Sequence, residues 1–482
     1  MRRVILFLGV IALMSPTAFA QDTLWTKTYG GSLNDVGISV FQTADGGYAV
    51  GGYTNSPPAQ LYDCYLLRTD ENGDSLWAKT YGGEGSQYVN CLQQTTDGGF
   101  VMTGITEGIF LDSPVYLLKT DSDGDSIWAQ TYGADSLSET STWVEQTSDG
   151  GYIISGHTWR PVTGFDFFLI KTDPDGNEEW TRYYAWPNAD YAYCVRQTSD
   201  GGYIVTGGTS SNELYEFDVL LMKLDAVGDS VWAARYGGDD DDRGDCVLET
   251  SDGDYIIAGS TESFGAGGQD VYLIKTDEGG DTLWTRTLGD TYHDAATAVA
   301  ETSDGGYVVT GAWTIPGVTL DAYVVRLDVA GNVLWSGLYG GEESETGYSI
   351  QQTDDGGYIL VASTLSFGAG EVDIYLVKLA PDAVNVEDNS DGRLSLDFVL
   401  CQNYPNPFNA STVVNYQLPV DSHVKLEVHN ILGEKIGVLV DEMQETGYKS
   451  VSWDASELAS GIYFYKLTAG HFTETKRMML VK

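Results

Sequence analysis

Positive charge is scarce in this chain. Of its 482 residues, 25 are Lys or Arg and 70 are Asp or Glu, which gives a formal net charge of -45 at pH 7. A field of this sign repels polyanions, so we expect neither nucleic acid nor an anionic membrane surface as a partner. It suits a solvated exterior and contact with divalent cations.

Histidine and cysteine are also few, with five of each. His157 and His293 are the only histidines before residue 380, and neither has a second histidine at ligand spacing, which argues against a zinc site or a Cys/His nucleophile. The chain has no Gly-Lys-Ser/Thr phosphate loop and no Gly-x-Ser-x-Gly elbow. Cys91, Cys194 and Cys246 occupy equivalent positions of a repeated pattern, so we expect buried free thiols there.

Long apolar runs are missing after residue 20, where no stretch approaches the roughly 18 apolar residues that span a bilayer. The first twenty residues combine Arg2 and Arg3 with an apolar run from Val4 to Met14 and the small-residue site Ala18-Phe19-Ala20. This pattern is typical of a secretory signal peptide. We expect residues 1–20 to be removed and, because no cysteine follows the site, no lipid anchor at the new amino terminus.

A motif that ends in tryptophan recurs seven times. Its copy at Gln197 to Trp232 contains Gln-Thr-Ser-Asp-Gly-Gly-Tyr and closes with Gly-Asp-Ser-Val-Trp. The closing tryptophans, 51 or 52 residues apart, are Trp25, Trp77, Trp128, Trp180, Trp232, Trp284 and Trp335. A period this regular indicates a repeat architecture.

Each repeat contains four short runs rich in Val, Ile, Leu, Tyr and Trp, separated by turn residues. Four strands in about fifty residues is the size of one β-propeller blade. The seventh repeat ends at Lys378 without its tryptophan strand, and Thr23 to Tyr29 supplies that strand at the other end of the sequence. We therefore predict an all-β chain in which residues 21–379 form a seven-bladed propeller closed by the N-terminal strand. Two N-terminal strands joining two C-terminal ones is the alternative phase.

Two polar features recur in every copy and predict local structure. The first glycine of the Asp-Gly-Gly hairpin should have a positive φ: Gly46, Gly98, Gly150, Gly201, Gly253, Gly305 and Gly356. The hairpin Asp should pair with the Lys or Arg of the third strand, a contact of little value if exposed. The seven pairs are Asp45 with Arg68, Asp97 with Lys119, Asp149 with Lys171, Asp200 with Lys223, Asp252 with Lys275, Asp304 with Arg326, and Asp355 with Lys378.

The Asp-x-x-Gly-Asp-x-x-Trp layout resembles the tryptophan-docking pattern of quinoprotein-type propellers. The resemblance implies that each tryptophan opens the outermost strand of a blade and docks on the neighbouring blade, where burial supplies ~2–3 kcal/mol. It stops at the docking residue. Neither a vicinal disulfide nor an eighth repeat is present, which argues against a quinone-dependent dehydrogenase.

The composition and the repeat pattern change after Leu379. Residues 380–397 are polar, acidic and without period, as in a linker, and residues 398–482 contain six alternating strands that suggest a small β-sandwich. This segment includes Val-Lys-Leu-Glu-Val-His-Asn-Ile-Leu-Gly and Ser-Gly-Ile-Tyr-Phe-Tyr-Lys-Leu, and it opens with Asn403, Tyr404, Pro405, Asn406, Pro407, Phe408 and Asn409. In combination these motifs resemble the type A C-terminal sorting domain of type IX secretion cargo. The resemblance implies the type IX machinery as a partner, export through the outer membrane of a Gram-negative bacterium, and surface attachment or release.

Two sets of acidic residues are expected on one face of the repeats. The first precedes strand one of each blade: Asp35, Glu139, Asp190, Asp242, Asp294 and Glu345, with Gln87 as the exception. The second precedes strand three: Asp63, Asp166, Asp218, Asp270, Asp321 and Asp373. A carboxylate ring could bind Ca²⁺, for which Asp190, Asp242 and Asp294 are the candidate ligands. The alternative, which repetition favours, is that these residues cap loop N–H groups.

Departures from the repeat are the better place to look for function. Trp159 with Arg160, and Trp186 with Tyr184 and Asp190, fall in loops of adjacent repeats on the acidic face. Aromatic rings beside carboxylates suit sugar recognition, because rings stack on pyranose faces and polar groups read hydroxyls. The alternative is that these rings only cover the core.

The sequence thus supports three functions. The first is a secreted, non-catalytic module that binds a glycan or protein at the cell surface, with no certain cofactor. The second is an extracellular polysaccharide hydrolase or lyase that uses two carboxylates roughly 5–10 Å apart at the channel mouth. The third is a spacer or surface-layer element without a ligand. Fold alone does not decide among them.

Overall fold

The computed structural model describes residues 21–480 except for 60, 84, 108–113, 134–138, 161–162, 186–188, 211–215, 316–318, 383–398, 401–410, 419–421, 432, 445–446, 457 and 471. Every regular element among these residues is a β-strand. Within this described part, no helix has the length and apolar character needed to cross a bilayer. The chain divides into two compact units, one of which comprises Thr23–Asp382 and the other of which includes Ala383–Lys482.

The first unit consists of repeated four-stranded antiparallel sheets, the signature of a β-propeller-like fold. Six of them are formed by consecutive strands: β2 (Asp35–Gln42), β3 (Tyr48–Thr54), β4 (Asp63–Thr69) and β5 (Ser75–Tyr81); β6 (Ser86–Gln94), β7 (Phe100–Glu107), β8 (Val115–Thr120) and β9 (Ser126–Tyr132); β10 (Glu139–Gln146), β11 (Tyr152–Arg160), β12 (Gly164–Thr172) and β13 (Glu178–Tyr184); β14 (Asp190–Gln197), β15 (Tyr203–Ser210), β16 (Phe217–Leu224) and β17 (Ser230–Tyr236); β18 (Asp242–Glu249), β19 (Tyr255–Thr261), β20 (Asp270–Thr276) and β21 (Thr282–Leu288); and β22 (Ala295–Glu301), β23 (Tyr307–Thr314), β24 (Leu320–Leu327) and β25 (Val333–Tyr339).

One further sheet combines the two ends of this unit. It contains β26 (Glu345–Gln352), β27 (Tyr358–Thr364), β28 (Asp373–Leu379) and β1 (Thr23–Tyr29), in the order β1-β28-β27-β26. Strand β1 runs antiparallel to β28, with Trp25 opposite Lys378 and Tyr29 opposite Ile374. The expected placement of Thr23 to Tyr29 beside the third strand of the last repeat is therefore observed.

The predicted hairpin geometry is confirmed. The first glycine of each Asp-Gly-Gly hairpin has a φ between 79° and 86°. A left-handed residue at this position costs an L-amino acid roughly 1–2 kcal/mol, which explains why glycine fills it in every copy.

The tryptophans dock between sheets as the resemblance implied. The centroid of each ring lies 5.6–6.1 Å from the ring of a tyrosine in the second strand of the next sheet, as in the pairs Trp25–Tyr48, Trp128–Tyr152, Trp180–Tyr203, Trp232–Tyr255, Trp284–Tyr307 and Trp335–Tyr358. In the remaining case, Trp77 packs on a cluster that contains Phe100. Six of these indoles, all except Trp335, also cover a hairpin glycine of the next sheet. For example, a Cβ built on Gly228 would lie 3.0 Å from Trp180.

The predicted ion pairs form in all seven copies. Arg68 pairs with Asp45, and in the other six pairs the N–O distance is 2.6–3.1 Å. The cationic side chains are only 1–8% exposed, whereas the aspartates are 52–67% exposed. The pairs therefore matter more than surface contacts would, because each aspartate neutralises a cation that is already desolvated.

The second glycine of the hairpin gives this cation room. A Cβ on Gly202 would lie 2.3 Å from the Leu224 carbonyl oxygen and 2.5 Å from Lys223 Nζ. Asp254 replaces this glycine once. There Lys275 Nζ lies 3.1 Å from Asp252 Oδ1 and 3.4 Å from Asp254 Oδ2, so a second carboxylate accompanies the lysine.

The four cysteines that the structure describes, Cys64, Cys91, Cys194 and Cys246, are buried free thiols, as predicted for the last three. Cys91, Cys194 and Cys246 each follow a β-bulge in the first strand of their sheets. After the bulge, alternate side chains of the strand point inward again, which places these small side chains against neighbouring first strands.

The second unit contains two antiparallel sheets around one apolar cluster. One sheet has the order β29 (Val399–Leu400), β30 (Ser411–Leu418) and β33 (Gly447–Asp454); the other has the order β32 (Lys435–Gln444), β31 (Ser422–Asn430), β34 (Gly461–Ala469) and β35 (Phe472–Leu480). Val414 and Tyr416 of the first sheet and Leu426 and Tyr465 of the second belong to the same buried cluster. The motif from Asn403 to Asn409 lies outside the described residues.

Candidate functional site

The acidic residues that precede strand one are buried and bonded to their own loops. Asp242 Oδ2 accepts hydrogen bonds from Gly238 N at 2.8 Å and Ser263 Oγ at 2.7 Å. Asp294 accepts from Thr314 N and Asp290 N at 2.8 and 3.0 Å. Asp190 Oδ1 accepts from Thr209 Oγ1 at 2.6 Å. These contacts match the loop-capping alternative.

This arrangement of the strand-one acids does not form a set of Ca²⁺ ligands. Among the residues that the structure describes, no three or more His, Cys, Asp or Glu side chains are grouped so that they could hold a metal ion. Asp190, Asp242 and Asp294 begin or precede the first strands of three different sheets. Asp242 and Asp294 accept hydrogen bonds from loop residues, and Asp190 accepts one from Thr209 of β15. A Ca²⁺ ion needs six to eight oxygen ligands, which these separate carboxylates do not converge to supply.

Neighbouring sheets bring a strand-one acid and a strand-three acid together around a glycine. A Cβ on Gly340 would lie 2.4 Å from Asp321 Oδ1 and 2.5 Å from Glu345 Oε2. Burial, followed by the charge of Glu345, raises the pKa of Asp321 to about 7. The carboxylates of Asp321 and Glu345 therefore repel each other when both are ionised.

Two of the aromatic candidates from the sequence have structural roles or lie outside the described residues. Tyr184 stacks on Phe167 at 4.7 Å, and its hydroxyl donates to the Gly228 carbonyl of the next sheet at 2.6 Å. Tyr81, Tyr132 and Tyr236 make the same hydroxyl contact in other sheets, so Tyr184 belongs to the repeated sheet-to-sheet clamp. Trp186 falls among the residues that are not described.

Trp159 and Arg160 differ in their surroundings. The Trp159 side chain is 51% exposed at the end of β11, opposite Phe165 of β12. Arg160 instead turns back on the protein. Its guanidinium carbon lies 3.7 Å from the centroid of the Tyr183 ring, and its Nε lies 3.9 Å from Asp166 Oδ2. Trp159 is thus available to a ligand, and Arg160 braces the strand that carries it.

A row of aromatic rings continues from Trp159 to β14, the first strand of the next sheet. Phe165 is 37% exposed, and its centroid lies 5.2 Å from that of Tyr191. Tyr191 stacks parallel to Tyr193 at 6.0 Å with an interplanar angle of 2°. We call Trp159, Phe165, Tyr191 and Tyr193 the aromatic row.

The far end of the aromatic row carries charge. The Arg243 guanidinium carbon lies 5.2 Å from the centroid of Tyr193, and Arg243 Nε lies 2.9 Å from Asp245 Oδ1. The Arg243 side chain is 46% exposed. A cation over an aromatic face, held by a carboxylate, offers fixed hydrogen-bond donors at the end of an apolar platform.

His157 supports the row from below. Its ring lies 4.9 Å from Tyr191 and 6.4 Å from Phe165, both edge to face. Burial lowers the pKa of His157 to about 4, so this ring is neutral at pH 7. His157, Phe165 and Tyr191 form a three-ring cluster that spans two sheets.

A cavity of about 580 Å³ lies among the first strands. Its wall includes Trp143, which carries the Arg196 guanidinium 4.5 Å above its ring, and Glu145, whose Oε1 is 3.5 Å from Arg196 Nη1. Glu249 and Glu301 also line it, but they accept hydrogen bonds from the backbone N–H groups of the preceding sheets at Ser199 and Ser251.

This arrangement bears on the hydrolase alternative. A glycoside hydrolase needs one carboxylate free to donate a proton and another free to attack or to activate water. Glu145 and Asp245 are each paired with an arginine, and Glu249 and Glu301 each accept backbone hydrogen bonds. The described carboxylates along the first strands therefore have structural partners.

Sequence reasoning missed Tyr193, Arg243 and Phe165. A signal was present, since this repeat alone has aromatic residues at both of these strand-one positions, whereas Tyr88 and Tyr348 each place a ring at one of them in two other repeats. In a strand with one buried face, such large polar rings at alternate positions point away from the core.

Comparison with known proteins identifies the C-terminal unit. Residues 402–482 match the family model described as Secretion system C-terminal sorting domain. This tail indicates a secreted protein exported by type IX secretion. Interaction with the type IX machinery and a secreted or cell-surface destination follow from the sorting domain.

The rest of the chain has more distant relatives. A 139-residue stretch is 30% identical to the Regulatory protein FlaEY of Caulobacter vibrioides, covering 24% of this chain and 15% of that protein. Among solved structures, Sqt1 from Chaetomium thermophilum is 11% identical over 71% of this chain and 82% of its own, with a TM-score of 0.42. PorZ, a surface component of the type IX secretion system of Porphyromonas gingivalis, is 10% identical over 95% of this chain and 100% of its own, with a TM-score of 0.19. At these values the likenesses carry no functional argument.

Proposed function

We propose that this protein is a non-catalytic glycan-binding module, displayed at or released from the outer-membrane surface of a Gram-negative bacterium. The observation that carries the proposal is the aromatic row, which leads from exposed Trp159 through Phe165 and Tyr191 to Tyr193 and ends at the Arg243–Asp245 pair. Stacked rings provide flat apolar surface for pyranose faces, and the charged pair provides donors and acceptors for hydroxyl groups.

The scaffold that we propose for this module is a closed seven-bladed propeller followed by a β-sandwich sorting domain, with a signal peptide at residues 1–20, the propeller at 21–379, a linker at 380–397 and the sorting domain at 398–482. Closure is supported by contacts between the last and the first sheets of the unit. Asp354 N donates to Gln42 Oε1 at 2.7 Å, and Trp25 packs on Tyr48. Equivalent glutamine or glutamate contacts join further neighbouring sheets, as where Gln197 Oε1 accepts from Ser148 N at 2.7 Å.

The charge of the chain restricts the ligand. A formal charge of -45 disfavours a polyanionic glycan such as a sulfated or uronic-acid polymer. At the end of the aromatic row, the charge of Arg243 is already balanced by Asp245. We therefore propose a neutral glycan as the ligand class.

The test is a glycan array probed with the full mature chain and with two single variants. Trp159→Ala should weaken binding of the neutral glycan hit roughly tenfold, because loss of a stacking platform removes on the order of 1–1.5 kcal/mol. Tyr292→Ala is the matched control, since Tyr292 is a 40% exposed aromatic residue outside the aromatic row. A parallel incubation with EDTA tests whether calcium takes part in binding.

Either of two results would reject the proposal. One is the absence of any saccharide hit for the wild-type chain, which would direct the search to protein partners or to a spacer role. The other is a hit with equal affinity for wild type, Trp159→Ala and Tyr292→Ala, which would mean that Trp159 only covers the core.

A further inference from the structure

A second three-ring cluster repeats the geometry of His157, Phe165 and Tyr191. It consists of Tyr53, Tyr62 and Tyr88. The centroids of Tyr62 and Tyr88 are 4.9 Å apart with an interplanar angle of 34°, which compares with 5.2 Å and 31° for Phe165 and Tyr191. Tyr53 meets Tyr88 edge to face at 5.2 Å, as His157 meets Tyr191 at 4.9 Å.

The two clusters occupy equivalent positions in the repeat. Tyr62 and Phe165 each directly precede the strand-three aspartate, Asp63 or Asp166. Tyr88 and Tyr191 each directly follow the residue that starts the capping set, Gln87 or Asp190. Equal register places the rings at the same depth on the same face of their sheets.

This cluster is a departure from the architecture. At the boundary between the β14–β17 and β18–β21 sheets the three positions hold Gly208, Phe217 and Arg243, and at the following boundary they hold Ser260, Gln269 and Ala295. Residues that maintain a repeat recur in every copy, whereas the three rings recur at two boundaries. One intervening boundary, between the β6–β9 and β10–β13 sheets and with Thr140 in the position of the tyrosines, separates them.

We propose that Tyr53, Tyr62 and Tyr88 form a second subsite for the same ligand, so that the protein binds an extended neutral oligosaccharide whose repeating units contact both three-ring clusters. This inference rests on the proposed glycan-binding function and adds the length and repetitive nature of the ligand. Two like platforms at equal depth suit a chain of like units, because each unit presents the same apolar face. Joining the contacts in one molecule makes the second binding event intramolecular.

The experiment measures the affinity of the full mature chain for neutral gluco-, xylo-, manno- and N-acetylglucosamine oligosaccharides, from disaccharide to hexasaccharide. Tyr62→Ala removes one half-buried ring from the second cluster, Phe165→Ala removes its counterpart from the first, and Tyr292→Ala is the control. Tyr62→Phe keeps the ring and loses only the hydroxyl. Thermal melting of each variant verifies that the fold is retained.

We expect Tyr62→Ala to weaken hexasaccharide binding roughly tenfold. The same substitution should leave disaccharide binding at the first cluster within about twofold of wild type, while Tyr62→Phe binds both like wild type. Phe165→Ala should weaken the binding of both lengths. Equal hexasaccharide affinity for wild type and Tyr62→Ala, with Phe165→Ala still impaired, would overturn the second subsite and leave the proposed function standing. Absence of saccharide binding by the wild type would overturn both.

Discussion

Lys223 Nζ lies 2.9 Å from Asp200 Oδ2, with the lysine side chain 8% exposed and the aspartate side chain 64% exposed. The ammonium also donates to the Leu224 carbonyl at 3.1 Å. The hydrogen bond from Thr198 and the contact with Lys223 lower the pKa of Asp200 to about 2. This asymmetry, a buried cation with an accessible counterion, recurs in all seven repeats.

Neutralising the exposed partner should destabilise the protein. Asp200→Asn leaves Lys223 desolvated without a counter-charge, and we expect a loss of roughly 1–3 kcal/mol in the free energy of unfolding. The control is Asp74→Asn, which breaks the pair between Asp74 and Lys27, whose side chains are 70% and 36% exposed, and should cost less than about 1 kcal/mol. Chemical denaturation measures both, and equal effects would refute the role of cation burial.

Stability should fall in acid through these same pairs. The folded pKa of Asp97, Asp149 and Asp200 is about 2 in each case, below the unfolded value of about 3.9. A lowered folded pKa gives stabilisation that is fully present above about pH 4 and is lost as the pH falls toward 2. Differential scanning calorimetry from pH 5 to pH 2 should show a steep decline in Tm that is shallower in Asp200→Asn.

The opposite slope is expected between about pH 4 and 7. Asp294, whose pKa burial raises to about 6, contributes part of it, and the larger part comes from Asp321. Because burial and Glu345 raise its pKa to about 7, the folded state holds a proton that the unfolded state releases. Stability should therefore rise as the pH falls from 7 to about 4. Asp321→Asn should flatten this slope, whereas Glu342→Gln at an exposed position should not; an unchanged slope in Asp321→Asn would contradict the assignment.

Two glycines with equal φ allow the cost of backbone strain to be measured separately from the cost of displacing a docked tryptophan. Gly201 and Gly228 both have a φ of 82°, but a Cβ on Gly201 would meet nothing within 4 Å, while one on Gly228 would meet Trp180 at 3.0 Å. Gly201→Ala should cost roughly 1–2 kcal/mol and Gly228→Ala about 1–3 kcal/mol more. Equal losses in urea denaturation would show that the indole yields without cost.

The sequence has no Asp-x-x-Gly-Asp turn after β28, and Asp382 lies beside Trp335 in the place of that turn. It accepts hydrogen bonds from Trp335 Nε1 at 2.7 Å, the Tyr358 hydroxyl at 2.7 Å and Arg326 Nε at 2.9 Å. Asp382→Ala should lower the free energy of unfolding by about 2–3 kcal/mol, because three partly buried donors lose an acceptor. Asp382→Asn, which retains an acceptor oxygen, should recover part of the loss. If Ala and wild type melt together, Asp382 does not stabilise this sheet.

Much of this fold could be predicted because the repeat multiplies weak signals. A single Asp-Gly-Gly or a single Lys in a strand is ambiguous, but seven equally spaced copies predict a hairpin and an ion pair that the structure confirms at Gly201 and at Lys223–Asp200. The placement of β1 beside β28 followed from counting strands.

The candidate site was harder to predict, because it depends on side-chain direction. Trp159 was found as a departure from the repeat, whereas Tyr184, in the edge strand of the same sheet, donates a hydrogen bond to the Gly228 carbonyl of the next sheet. Tyr193 was not singled out from the sequence, and Tyr191 was noted only as a neighbour of Trp186. The arrangement of Tyr191 and Tyr193 depends on a bulge between Ala192 and Cys194 and on Phe165 of β12 in the preceding sheet, and neither is visible in local sequence.

Because β1 pairs with β28, the amino-terminal residues cover the edge of a strand that ends at Leu379. If β1 is deleted or held away, β28 becomes a free edge with a row of unsatisfied backbone N–H and C=O groups. The strand that best satisfies it is β1 of a second molecule, which would create domain-swapped dimers or open chains of molecules. A fusion partner or tag placed tightly against Thr23 thus carries a risk of aggregation that a tag elsewhere on this acidic surface does not.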